Sequence, residues 1–165
     1  MNKRSMKRAG GARADMSADE EIDVFVRRVA EATPLERIEL ERQGVTLSFL
    51  RSFAARLGIS AAHLFEILDL PRTIPARRDG EARADGSLGH VALALVDLLL
   101  RAQEIAGSST SAEAADFDVA KWLGRWIELP QPALGGRRPA ELIGTATGAR
   151  VVSRLLGALE SGAYQ

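Results

Sequence analysis

Residues 88–105 read LGHVALALVDLLLRAQEI, and the organisation of the whole chain turns on how that stretch is covered. Wound as a helix it is apolar on almost every side, through Val91, Leu93, Leu95, Val96, Leu98, Leu99 and Leu100. A helix that is hydrophobic all round has to be enclosed, by its own chain or by a partner chain, and the pattern leaves both open. Asp97 breaks the run, which falls well short of the roughly 20 apolar residues that cross a bilayer. The rest of the chain also favours helix over strand, with 27 Ala and 21 Leu against 9 Val and 8 Ile. The expected fold is all-α.

Towards the N-terminus, Ile22, Val26 and Val29 recur at spacings of four and three. Asp19, Glu20, Glu21 and Asp23 stand in the first turn, where the helix dipole favours acids. Thr33-Pro34 closes this helix and opens the next, Leu35 to Gln43, whose charges read as a solvated face. Leu47, Leu50, Phe53, Ala54 and Leu57 trace one face of a third helix that ends at Gly58, and Ser60 caps a fourth carrying Leu64, Ile67 and Leu68. The basic phrase Leu70-Pro71-Arg72-Thr73-Ile74-Pro75-Ala76-Arg77-Arg78 follows. Two short helices, a tight turn and a basic third segment are the outline of a helix-turn-helix. In that arrangement Arg72, Thr73, Arg77 and Arg78 would meet DNA phosphates or guanine edges. A plain helical corner with a solvated basic tip accounts for the same residues. Pro75 suits only the first turn of a helix, and Asp69 and Asp79 flank the arginines. Residues 1–18, with Lys3, Arg4, Lys7, Arg8 and Arg13 and no repeating apolar position, are expected to be a disordered basic arm.

Downstream, Gly107-Ser108-Ser109-Thr110-Ser111 reads as a loop. Val119, Trp122, Leu123 and Trp126 then fall at helical spacing, which puts both tryptophans on one face. Pro130 and Pro132 end that helix, and the turn 133–139 delivers a short helix from Pro139 to Ile143. Thr145 caps a last helix bearing Val152, Leu155, Leu156 and Leu159, with Arg150 and Arg154 off the apolar face.

The chemistry that the composition excludes is as informative. The 165 residues carry 22 Lys+Arg against 22 Asp+Glu and no Cys. A zero balance is not that of a uniformly basic nucleic-acid coat, so any such contact would come from a local patch. Without Cys there is no disulfide, thiolate metal site or Cys nucleophile. His63 and His90 are isolated and read as structural, giving neither a zinc site nor a general base. No catalytic residue, metal or cofactor is expected. The N-terminus is basic without the apolar core of a signal peptide, so the expected location is the cytoplasm, off the membrane.

Residues 126–143, WIELPQPALGGRRPAELI, carry the most specific pattern. Together with Thr145, Gly148 and the run Val152, Leu155-Leu156-Gly157, Glu160, Gly162 and Tyr164, they resemble the C-terminal domain of Xre/MbcA/ParS-type antitoxins without a gap. Gln131 stands where the family pattern usually has Asn, Arg138 where it has a small hydroxyl residue, and Ser161 where His is frequent. Residues 35–106 are similar, more loosely, to the family's helical Xre-like part.

The resemblance implies a type II antitoxin. It implies a helix-turn-helix-like bundle at 19–106 for dimerisation and operator binding, a linker at 107–112 and a helical toxin-binding domain at 113–165. The implied partners are a RES-domain toxin, which consumes NAD or transfers ADP-ribose from it, and operator DNA bound by a homodimer. The implied toxin-binding residues are Trp126, Leu134, Gly135, Gly136, Arg137, Arg150, Arg154, Glu160, Gly162, Tyr164 and Gln165. Inhibition is expected to be steric, the last helix docking on the toxin while the tail from Gly162 covers its NAD pocket. A stand-alone helix-turn-helix regulator with no toxin partner is the competing reading.

Overall fold

A computed structural model describes residues 17–70, 89–108 and 117–160, apart from the side chain of Glu160. The expected basic arm as far as residue 16, the residues expected to meet DNA (Arg72, Thr73, Arg77 and Arg78), most of the expected linker, and Gly162, Tyr164 and Gln165 lie outside the described residues. Eight α-helices occur among the described residues: α1 (Ala18–Glu31), α2 (Pro34–Gln43), α3 (Leu47–Leu57), α4 (Ala61–Ile67), α5 (Gly89–Ser108), α6 (Val119–Trp126), α7 (Ala140–Ile143) and α8 (Ala146–Glu160). A 3-10 turn at Pro132–Leu134 is added, with no strand among those residues, and the all-α expectation holds.

Local chemistry sets the helix starts. Ser17 accepts the Glu20 amide, and the Glu20 carboxylate returns to the Ser17 amide at 2.8 Å, closing a capping box. Thr33 and Glu36 repeat the device with Pro34 in the first turn, and these bonds from Thr33 hold the Glu36 carboxyl below the usual carboxylate range. Residues 17 and 18, expected in the basic arm, therefore belong to the start of α1. At the other boundary α5 runs on through Gly107 and Ser108, which read as loop in the sequence. The Ser108 hydroxyl donates to the Ile105 carbonyl at 2.8 Å, so this serine bonds inside the last turn instead of ending it.

The apolar stretch is enclosed by its own chain. α5 packs against α1, α2, α6, α7 and α8, and Val91, Ala92, Leu93, Leu95, Val96, Leu98, Leu99 and Ala102 are buried. The carboxylate inside it has a task. Arg37 of α2 donates through Nη2 to Asp97 Oδ1 at 2.7 Å and through Nη1 to the Val29 carbonyl at 3.1 Å. One guanidinium thus ties α2, α5 and the last turn of α1 together. Removing Asp97 leaves the half-buried Arg37 without its anion, so Asp97→Ala should cost about 1 kcal/mol and lower Tm by about 2–4 °C in thermal unfolding. An unchanged Tm would contradict this role.

α3 and α6 cross with no room for a side chain between them. A Cβ on Gly124 would stand 2.0 Å from the Leu57 carbonyl oxygen, whereas one on Gly107 would meet nothing within 4 Å. Gly124→Ala should therefore destabilise the fold by about 1–3 kcal/mol. Gly107→Ala, in open space on a helix, should be neutral or stabilising by up to about 1 kcal/mol. Chemical denaturation of the pair checks the contrast, and equal midpoints would refute the close crossing.

Candidate functional site

The candidate surface is assembled from α6 onwards. Asp118 accepts the Lys121 amide at 3.0 Å and starts α6, which turns Leu123, Gly124 and Trp126 inward against α3 and α5. Trp122 stacks on Trp126 with ring centroids 6.1 Å apart, and Phe117 leans on Trp122 at the same distance. The two tryptophans do share a face, but they differ in depth. Trp126 is only 6% exposed and belongs to the core, while Trp122 is half-buried.

Residues 129–137 leave the helical core as a closed loop. The Gln131 amide donates to the Arg137 carbonyl and the Gly136 amide to the Gln131 carbonyl, both at 3.0 Å. Gly135 and Gly136 make the reversal at φ 67° and 80°, a left-handed conformation that suits glycine, with nothing within 4 Å of either Cβ position. Leu134 is half-buried, whereas Leu129, Pro130, Pro132, Ala133, Gly135, Gly136 and Arg137 are exposed. The loop shows solvent a partly apolar tip on a fixed backbone.

The base of the loop is held by charge. Glu128 precedes it and Arg138 follows it, and Glu128 Oε2 accepts from Arg138 Nη1 at 3.1 Å. Arg138 Nε also donates to Glu141 Oε1 of α7 at 2.9 Å, which holds the Glu141 carboxyl below the usual carboxylate range. The Ala140 amide donates to the Ile127 carbonyl at 2.9 Å, closing the same neck through the backbone. His63 of α4, expected to be structural, reaches this neck: its Nε2 lies 2.7 Å from Glu128 Oε1. That hydrogen bond is the main cause that raises the imidazole above its ordinary value, with the nearby Glu66 adding to it. Glu66, at i+3, is visible from the sequence; Glu128, 65 positions away, has no local signal.

α8 is the last element of this region. The Thr145 hydroxyl accepts the Gly148 amide at 3.0 Å, the expected cap. Val152, Leu155 and Leu156 are buried, and Arg150, Val151 and Arg154 face solvent. The arginines are one helical turn apart on one side, and neither forms an ion pair with another described residue. Of the residues singled out in the sequence, Leu134, Gly135, Gly136 and Arg137 lie on the loop, Arg150 and Arg154 on α8, and Trp126 beneath the surface in the core. The Glu160 side chain, Gly162, Tyr164 and Gln165 lie outside the described residues. Among those residues no group of three His, Asp or Glu side chains could hold a metal, and no helix is long and apolar enough to cross a membrane.

Comparison with known proteins covers this region of the chain. The model of the antitoxin Xre/MbcA/ParS C-terminal toxin-binding domain matches residues 101–162, from within α5 to just beyond α8. A relative from Sphingobium sp. (strain YBL2), the Prs ADP-ribosylating antitoxin, is 32% identical over 134 residues, spanning 81% of this chain and 83% of the relative. With a match to the toxin-binding domain over α6, the loop and α8, and an antitoxin relative along most of its length, the chain belongs to the Xre/MbcA/ParS antitoxin family, and its partner is a toxin.

Proposed function

We propose that this antitoxin binds a RES-domain toxin in the cytoplasm and blocks it sterically, performing no chemistry of its own. The toxin would be an enzyme that consumes NAD or transfers ADP-ribose from it, and the name of the Sphingobium relative supports ADP-ribosyl chemistry on the toxin side. The observation that carries this reading is the outer side of α8, where Arg150 and Arg154 flank an exposed Val151 within the matched toxin-binding domain. An apolar centre with a cationic rim and no ion-pair partner among the described residues is the anatomy of a recognition patch. The loop residues Leu134, Gly135, Gly136 and Arg137 are assigned to the same interface, with Trp126 supporting the loop from below and Glu160, Gly162, Tyr164 and Gln165 extending contact past α8.

Replacing both α8 arginines by acids, Arg150→Glu with Arg154→Glu, should weaken the toxin complex at least about tenfold, about 1.4 kcal/mol, and abolish growth rescue on co-expression. Because both side chains are exposed, Tm should stay within about 1 °C of the parent. Full rescue by the double variant would remove α8 from the interface. A stand-alone regulator, by contrast, would give no rescue with the unaltered chain.

The corner between α3 and α4 favours a second role. Gly58 turns it in the left-handed conformation, φ 72°, and the Ser60 hydroxyl accepts the His63 amide at 3.1 Å to start α4. We propose that a homodimer uses this corner and the following Arg72, Thr73, Arg77 and Arg78 to repress its own operon. Each phosphate contact changes the slope of log affinity against log salt by about 0.9, so Arg77→Ala with Arg78→Ala should flatten it by about 2. An unchanged slope and affinity would move the DNA footprint elsewhere.

A further inference from the structure

We propose that His63 is a positioning residue for partner recognition, clamping the base of the 129–137 loop to α4 through Glu128 and Arg138. The inference rests on the assignment of that loop to the toxin interface and adds to it a residue outside the matched domain.

The geometry is that of a two-sided clasp. Glu128 spends one oxygen on each neighbour, Oε1 on His63 Nε2 at 2.7 Å and Oε2 on Arg138 Nη1 at 3.1 Å. Since Glu128 enters the loop and Arg138 leaves it, their bond draws the two strands of the neck together, and His63 fastens that neck to a helix on another part of the chain. Arg138 is steadied in turn by Glu141 at 2.9 Å. The other imidazole nitrogen, Nδ1, lies 3.5 Å from Glu66 Oε2. A charged imidazolium has two N–H donors and serves both carboxylates, while the neutral ring has one donor and can serve only one.

The two carboxylates that face His63 favour its charged form, against the lowering by burial. Glu66 comes from its own helix, Glu128 from the turn after α6, and Arg138 and Glu141 complete the cluster beside α7. From α3, also packed on α4, Arg56 is turned away to Asp19 and Asp23 of α1. The imidazole value is raised above its ordinary 6.5, first by the hydrogen bond to Glu128. The charged clasp is therefore complete below pH 6.5 and is lost as pH climbs through the raised value of the folded protein. A loop held in its binding geometry loses less freedom on association, so loosening its base should lower affinity without removing any contact at its tip.

The test uses the full chain and its RES-domain toxin, with affinity measured from about pH 6 to about pH 9 beside amide hydrogen exchange of Gln131–Arg137 in the free protein. The unaltered chain should lose affinity about fivefold towards the alkaline end. His63→Ala should bind about fivefold more weakly at the acid end, show no such pH dependence, and exchange its loop amides faster with Tm lowered by no more than about 2 °C. His63→Gln keeps a donor for Glu128 and should recover part of the affinity but none of the pH dependence. Unaltered loop exchange and wild-type affinity for His63→Ala at every pH would overturn the clamp, as would an alanine variant that keeps the pH slope. If the parent chain binds no RES-domain toxin, the toxin assignment falls, and the exchange of the loop amides still decides whether His63 holds them.

Discussion

The need to enclose α5 is the constraint on which the rest of the structure depends. As far as Ala102 this helix is apolar nearly all round and has no side to give to water, so five other helices are drawn against it. Asp97, the one acid within its apolar run, lies on the side where α2 brings Arg37, and the same guanidinium takes up a carbonyl from the end of α1. The one charge in the run therefore joins three helices at their meeting point. Because α5 touches both the early helices and α6, α7 and α8, it transmits one frame to the two halves of the chain.

That frame decides which faces remain for partners. α8 spends Val152, Leu155 and Leu156 on the core, and past its first turn it leaves Arg150, Val151 and Arg154 outside. Nearer the N-terminus the charges mostly satisfy one another or the helix ends: Arg56 lies with Asp23, Arg42 with Glu39, and Glu20 and Glu36 close capping boxes. A surface that is already in place loses less freedom when the toxin binds. A loop turned by two left-handed glycines and a helix whose outer arginines form no ion pair among the described residues supply such a surface.

Much of this architecture was legible in the sequence because local chemistry writes it. The caps at Thr33, Ser60 and Thr145, the stop at Gly58 and the helical spacing of Leu47, Leu50, Phe53 and Leu57 all mark elements that the structure contains. The end of α5 was misread because a serine-rich run resembles a loop, yet Ser108 bonds back to Ile105 and lets the helix continue. Periodicity placed Trp122 and Trp126 on one face but could not rank their burial, which depends on how α3 and α5 meet α6. The ties that organise the site span 60 positions, Arg37 to Asp97, and 65 positions, His63 to Glu128, and no local pattern announces either. His63 looked isolated for that reason.

The central claim is that the 129–137 loop and the outer side of α8 grip the toxin. Amide hydrogen exchange of the full chain, alone and saturated with the proposed RES-domain toxin, tests it most directly. The account predicts new protection across the loop and α8, with α1 and α2 unchanged. Protection confined to α1 and α2, with the loop and α8 exchanging as in the free protein, would contradict it.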